Sequence, residues 1–138
     1  MKLFLLLLIL AMCGCGAPRV TSETPVTESQ VRAYEASFYW AKQKGIRLDA
    51  VVFAPGFVTG TSGNETPGKA TAWALCDHYA IGWNEEHIEI PGYVDFDCGA
   101  AHESCHIYYK DNLPCKKKYD EARARACAEE LVGRRCSG

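Results

Sequence analysis

Six cysteines, Cys76, Cys98, Cys105, Cys115, Cys127 and Cys136, lie in the second half of this 138-residue chain and constrain its fold more than any other feature. Whether they stay thiols depends on the compartment, and the N-terminus bears on that. Lys2 is followed by LFLLLLILA, an apolar run from Leu3 to Ala11 that is too short to span a bilayer comfortably and has signal-peptide anatomy. Export is therefore expected. In an oxidising compartment an even set of cysteines reads as up to three disulfides. The pairing is not deducible, but one option is excluded. On one helix the Cα atoms of Cys98 and Cys105 would be separated by roughly 10 Å at 1.5 Å per residue, beyond disulfide reach, so each must bond outside that helix. A thiolate metal cluster is the competing use of so many cysteines, but the chain has no CxxC pair, and secreted thiols oxidise.

MCGCG follows the apolar run. A cysteine directly after such a core resembles the lipobox of bacterial lipoproteins, in which the cleaved chain begins with a diacylglyceryl-cysteine. Cys13 has Leu10 and Ala11 before it but the bulky Met12 at the cleavage position. Cys15 has the small Gly14 there, with Met12 and Cys13 further back. The residue beside the scissile bond is the most sterically restricted, which favours Cys15 over Cys13. An ordinary secretory signal cut nearby is the other reading, and it too exports the protein. The resemblance implies a signal peptide over 1–14, a tether over 15–26, a domain over 27–138, and a chain lipid-anchored to a membrane of the bacterial cell envelope. The stretch APRVTSETP has little to bury, as a tether should.

With 48% hydrophobic residues and no long low-complexity run, the chain has room for one globular domain, expected as a monomer. Lys plus Arg is 15 against Asp plus Glu at 17, and the net charge of -2 gives no general attraction to nucleic acid or an anionic membrane surface. The short KKK at Lys116 to Lys118 reads as a solvated turn.

The domain begins with TESQ at Thr27 to Gln30, a capping-box pattern. Val31, Tyr34, Phe38 and Ala41 then recur at helical spacing until Lys44, where Gly45 stops the helix. LDAVVFA, closed by Pro55-Gly56, reads as a strand. GTSGNETPG from Gly60 to Gly68 is turn chemistry. KATAWALC, HYAIGW and EHIEIPG predict two or three antiparallel strands, the last from its alternation of His87 and Glu89 with Ile88 and Ile90. A helix capped by Asp95 or Asp97 runs to about Lys110, and Asn112 to Pro114 breaks it. The last helix begins near Lys118 and stops at Gly133. The order predicts an α+β domain: N-terminal helix, small antiparallel sheet, two further helices, stapled by disulfides.

The first of those two helices carries HESCH. Positions i and i+4 share a helix face, so His102 and His106 can aim at one ion, while Glu103, about 100° round from His102, stands beside that ion. There it can take a proton from a water whose pKa the metal has lowered. Random placement of residues gives about 0.01 copies of such a motif in a chain of this length, against a bland reading as two solvated histidines.

HESCH resembles the HExxH of the zincin superfamily of metallopeptidases, with the element order from about Val31 to Val132 in support. The resemblance implies a zincin-like fold, a Zn2+ cofactor, a peptide or protein substrate, His102 and His106 as ligands and Glu103 as catalytic base. It also implies that the strand before the motif helix, here NEEHIEIPG, is an edge strand lining the cleft. The metzincin pattern is excluded, because Tyr109 and Asn112 stand where its Gly and His belong and no His follows His106. The aspzincin Gly-Thr-x-Asp run is missing, leaving Asp111 and Asp120 as weak candidates for third ligand. In small gluzincins a Glu before an Ala, with another Ala about a turn later, supplies it, and Glu121-Ala122 with Ala126 resembles this. Ala124, Ala128, Leu131 and Val132 fall on the same broad side of the helix as Glu121, whereas Glu129 and Glu130 read as solvated. The alternative for Glu121 is a first-turn acid interacting with the helix dipole. Cys115 is placed to fix the tight connection from His106 to Glu121.

Cys105, about 60° behind His102, points to the core rather than the metal. His78 and His87 read as solvated or core-edge residues on strands, and Trp73 and Trp83 as core or subsite lining. Tyr108, Tyr109 and Tyr119 are near enough in sequence to stabilise an oxyanion, though packing is the default for each. Two other functions compete with a peptidase: a non-catalytic, disulfide-rich envelope lipoprotein acting as a binding module, and a zinc amidase acting on cell-wall material.

Overall fold

The computed structural model describes residues 21–54, 70–110 and 120–137, and among these described residues three helices and three strands form an α+β arrangement. In chain order they are helix α1 (Glu28–Lys44), strands β1 (Ala50–Ala54), β2 (Ala72–Leu75) and β3 (Ala80–Asn84), helix α2 (Phe96–Tyr109) and helix α3 (Glu121–Val132). Cys13 and Cys15 of the expected signal and lipidation segment, the turn expected at 60–68, Asp111, Cys115, the KKK run and Tyr119 lie outside the described residues. No helix among the described residues is long and apolar enough to cross a membrane.

The helices start and stop where their flanking residues dictate. Thr27 Oγ1 accepts from Gln30 N–H at 3.0 Å, and Gly45, at φ 74°, donates to Ala41 and Lys42 carbonyls. Gln30 reaches one residue further back than a standard capping box, accepting from Val26 N–H at 2.9 Å. Asp95 caps α2 by accepting from Cys98 N–H at 3.1 Å. Asp120 caps α3 and Gly133, at φ 72°, ends it, so the described part of α3 begins at Glu121, later than the expected Lys118.

The sheet has the order β1-β3-β2. It is mixed rather than wholly antiparallel. A short connection through the 3₁₀ turn Cys76–His78 forces β2 and β3 antiparallel, and β1 pairs with the other edge of β3 in parallel, Val51 beside Ile81 and Phe53 beside Trp83. The expected strand over EHIEI is instead a 3₁₀ turn, His87–Glu89. Asn84 is the cause: its Oδ1 accepts from the N–H groups of Glu86 and His87 at 3.0 and 3.3 Å, curling the chain as it leaves β3. Both histidines expected on strands, His78 and His87, therefore sit in turns.

The two sheet edges differ. Ser22 and Glu23, within the stretch read as tether, lie along β1: Glu23 N–H donates to Val51 O at 3.0 Å, Val51 N–H to Ser22 Oγ at 3.0 Å and Phe53 N–H to Glu23 Oε2 at 2.7 Å. On β2, Asn84 N–H donates to Thr71 O at 2.8 Å, so Thr71, Trp73 and Leu75 turn their backbone groups toward β3 while Ala72 and Ala74 turn theirs outward. No described strand pairs on that outer side.

One face of the sheet carries Val51, Phe53, Ala74, Ile81 and Trp83, and α1 and α2 cover it. Trp83 is fully buried where the three meet. Its indole donates to Ser37 Oγ of α1 at 2.9 Å, and its ring lies 5.8 Å from that of Phe96. On the opposite face the Trp73 indole lies over Gly82, where a side chain would fall inside the ring. Helix α3 packs antiparallel on α2, joined to it by Cys105–Cys127; Cys136, just past its end, bonds Cys98. Cys76 is also disulfide-bonded. Arg134 reinforces the second staple with an ion pair to Asp95 at 2.6 Å.

Candidate metal centre

His102 and His106 stand one turn apart on α2, and Glu121 is the first residue of α3. They meet because the α3 surface facing α2 is made of small residues, Ala124 and Ala128, both wholly buried, with Cys127 between them. The alanines singled out by the gluzincin resemblance, Ala122 and Ala126, are exposed; those on the helical phase of Glu121 make the contact.

His102 Nε2 and His106 Nε2 are 3.0 Å apart, Glu121 Oε2 is 2.9 Å from His102 Nε2, and Glu121 Oε1 is 3.2 Å from His106 Nε2. Donors bound to one tetrahedral ion at about 2.0–2.1 Å sit about 3.3 Å from each other. The three side chains could hold a metal ion as they stand. His106 is 1% exposed, His102 20% and Glu121 44%, so the group is buried on the α2 side and open where Glu121 meets solvent. Burial alone would pull the His102 imidazole down. The hydrogen bond to Glu121 and the negative charges of Glu103 and Glu121 together outweigh it, and His102 titrates above the ordinary histidine value.

Glu103 is buried and stands close enough for its charge to act on His102. Cys105 is wholly buried and taken up in a disulfide, as its position behind His102 implied. Asp120 is occupied as the α3 cap, accepting from Arg123 N–H at 3.0 Å, and does not join the group. Glu130 is exposed as expected. Glu129 is not simply solvated, since it is half-buried and accepts from Cys136 N–H at 3.1 Å. Tyr108 and Tyr109 carry cations on their rings, Lys44 and Arg123 respectively, each at 4.0 Å. His87 bonds Thr71 Oγ1 at 3.0 Å. Asp95 caps α2 as expected, but its ion pair with Arg134, which ties the C-terminal tail to the start of α2, was not foreseen; nothing in their spacing signals the pair.

No protein family matches this chain, nor does any curated protein or solved structure.

Proposed function

We propose that this chain is a zinc-dependent peptidase of the zincin type, exported and held to a membrane of the bacterial envelope by a lipid on Cys15 or Cys13. The observation that carries the reading is the convergence of two imidazole nitrogens of α2, the helix that also bears Glu103, and the Glu121 carboxylate of α3 within 2.9–3.2 Å of one another. Two histidines and one carboxylate suit zinc, and three protein ligands leave a fourth position for water or substrate on the exposed side.

Zinc bound there would polarise a carbonyl oxygen and lower the pKa of a water. The chain's own part falls to Glu103, which directly follows His102 and so stands beside the ligands. It takes the proton from the attacking water and hands it to the leaving amine. The outward N–H and C=O groups of Ala72 and Ala74 suit an extended peptide, which would pair along β2. This assigns to β2 the edge-strand part that the resemblance had given to NEEHIEIPG. The Cys98–Cys136 and Cys105–Cys127 disulfides agree with an oxidising, exported location.

The test is metal content together with hydrolysis. The exported chain should bind about one zinc, and Glu103→Gln should keep it while losing peptide cleavage, because the base is not a ligand. Equal activity in the two proteins would refute the mechanism. Cleavage of cell-wall fragments but not peptides would point to the amidase, and a wild-type chain that takes up no zinc to the binding module.

A further inference from the structure

We propose that the Cys105–Cys127 disulfide is a positioning element for the third ligand: it holds the Glu121 carboxylate at the two histidines, and metal affinity depends on it through Glu121. The proposal rests on the metal-site reading above. Its basis is where the bond falls. Cys105 lies between His102 and His106 on α2, and Cys127 lies six residues, roughly 9 Å of helix, beyond Glu121 on α3. The bond thus joins the helix of the two histidines to the helix of the carboxylate, within about two turns of all three donors.

Besides this staple, α3 meets α2 near Glu121 through Arg123, which lies over the Tyr109 ring at 4.0 Å, and through small buried residues. The buried contact residues beside Cys127 are Ala124 and Ala128, whose methyl groups allow close approach but do not key one register against another. Glu121 is 44% exposed and opens its helix, so where its carboxylate falls follows from where the start of α3 sits. The other staple, Cys98–Cys136, acts beyond the far end of α3, fifteen residues from Glu121, and with the Arg134–Asp95 ion pair it holds the tail. Donors spaced 2.9–3.2 Å apart tolerate little drift of one helix against the other, so a staple beside them governs affinity and one at the far end does not.

The experiment measures Zn2+ affinity of the purified exported chain by competition with a chromophoric chelator, alongside the visible spectrum of bound Co2+, which reports coordination. Cys105→Ala/Cys127→Ala should bind Zn2+ about 10–100-fold more weakly and shift the Co2+ bands. Cys98→Ala/Cys136→Ala should lie within about 3-fold of wild type, although it too unfolds more readily. Starting from Glu121→Gln, loss of the Cys105–Cys127 bond should cost less than about 3-fold more, because the residue it acts through is already disabled. Equal losses from the two staples, or a full additional loss on top of Glu121→Gln, would overturn the proposal while leaving the metal site intact. A wild-type chain that binds no Zn2+ overturns the metal reading and this proposal with it. If the alanine pair fails to fold, Cys105→Val/Cys127→Ala, which refills the space left by the sulfurs, gives the same readings.

Discussion

Gly99 lies in the first turn of α2, one turn before His102, and its substitution by alanine should change sign with the residue at position 83. A Cβ at Gly99 would lie 2.9 Å from Cη2 and 3.1 Å from Cζ3 of Trp83. The indole has nowhere to go: it is fully buried, bonded to Ser37 at 2.9 Å and packed on Phe96. Helix propensity favours alanine over glycine by up to about 1 kcal/mol. Overpacking against a fixed ring costs about 1–3 kcal/mol, so Gly99→Ala alone should destabilise by about 1 kcal/mol. Trp83→Phe removes the clashing atoms. By itself it costs about 2–3 kcal/mol, roughly 1 for the lost hydrogen bond and the rest for the space left behind. Ser37 is not orphaned, because its hydroxyl still donates to Ala33 O at 2.7 Å. In the Trp83→Phe protein Gly99→Ala should therefore stabilise by up to about 1 kcal/mol, a coupling of about 1–3 kcal/mol. Urea unfolding with disulfides intact, followed by far-UV circular dichroism because a tryptophan is being changed, measures all four proteins. The same sign for Gly99→Ala in both backgrounds, with additivity within about 0.5 kcal/mol, would refute the packing account.

Two further outcomes are expected. Glu121→Ala should abolish zinc binding, while Glu130→Ala, on the exposed side of the same helix, keeps it; the reverse result would show that another carboxylate is the ligand. Asp95 is held below the usual carboxylate range chiefly by its hydrogen bond to Arg134, with Cys98 N–H also helping and burial opposing. Its folded pKa lies below its unfolded one, so its contribution is complete above about pH 4 and disappears as pH falls through the folded value. Asp95→Asn keeps a helix cap but loses the ion pair. The Tm gap between wild type and Asp95→Asn should be open at pH 7 and close in acid, and a gap that persists to about pH 2 would show that the charge is not the cause.

The helix boundaries were legible because they are set by local chemistry. Thr27, Asp95, Gly45 and Gly133 each act on a neighbour within a few residues. Glu121 was legible for a related reason, since a helical phase puts it on the side of Ala124 and Ala128 whatever lies opposite. The strand expected over EHIEI failed because alternation of Ile88 and Ile90 with polar residues does not distinguish a strand from a turn that buries one isoleucine. Ile88 is 3% exposed and Ile90 48%, and the decisive group is the side chain of Asn84, outside the pattern. The parallel pairing of β1 with β3 and the lie of Ser22–Glu23 along β1 are contacts between distant segments that no local pattern encodes. The same holds for the disulfides: helical rise excludes Cys98–Cys105, but choosing Cys136 and Cys127 as partners requires knowing that α3 returns antiparallel along α2.

That antiparallel return explains why a chain of this size carries its staples where it does. An isolated helix of twelve residues, the length of α3, is marginal in water. The side chains it buries, Ala124, Cys127 and Ala128, are small, and each buried methyl group is worth about 0.8 kcal/mol. A cross-link closing 22 residues, the separation of Cys105 from Cys127, constrains the unfolded chain by about 3.4 kcal/mol, and one closing the 38 residues between Cys98 and Cys136 by about 3.9 kcal/mol. These are upper figures, since the second loop encloses the first. Each still exceeds what any single α3 contact supplies. Small residues let α3 approach closely enough for Glu121 to reach the histidines, but they sacrifice the burial that would hold it there, and the disulfides make good that loss. Close approach and covalent restraint are thus two halves of one design, and a site built this way is held at full strength only where its disulfides form, in an oxidising compartment. The proposed export and the proposed metal site, which rest on separate parts of the sequence, meet in that requirement.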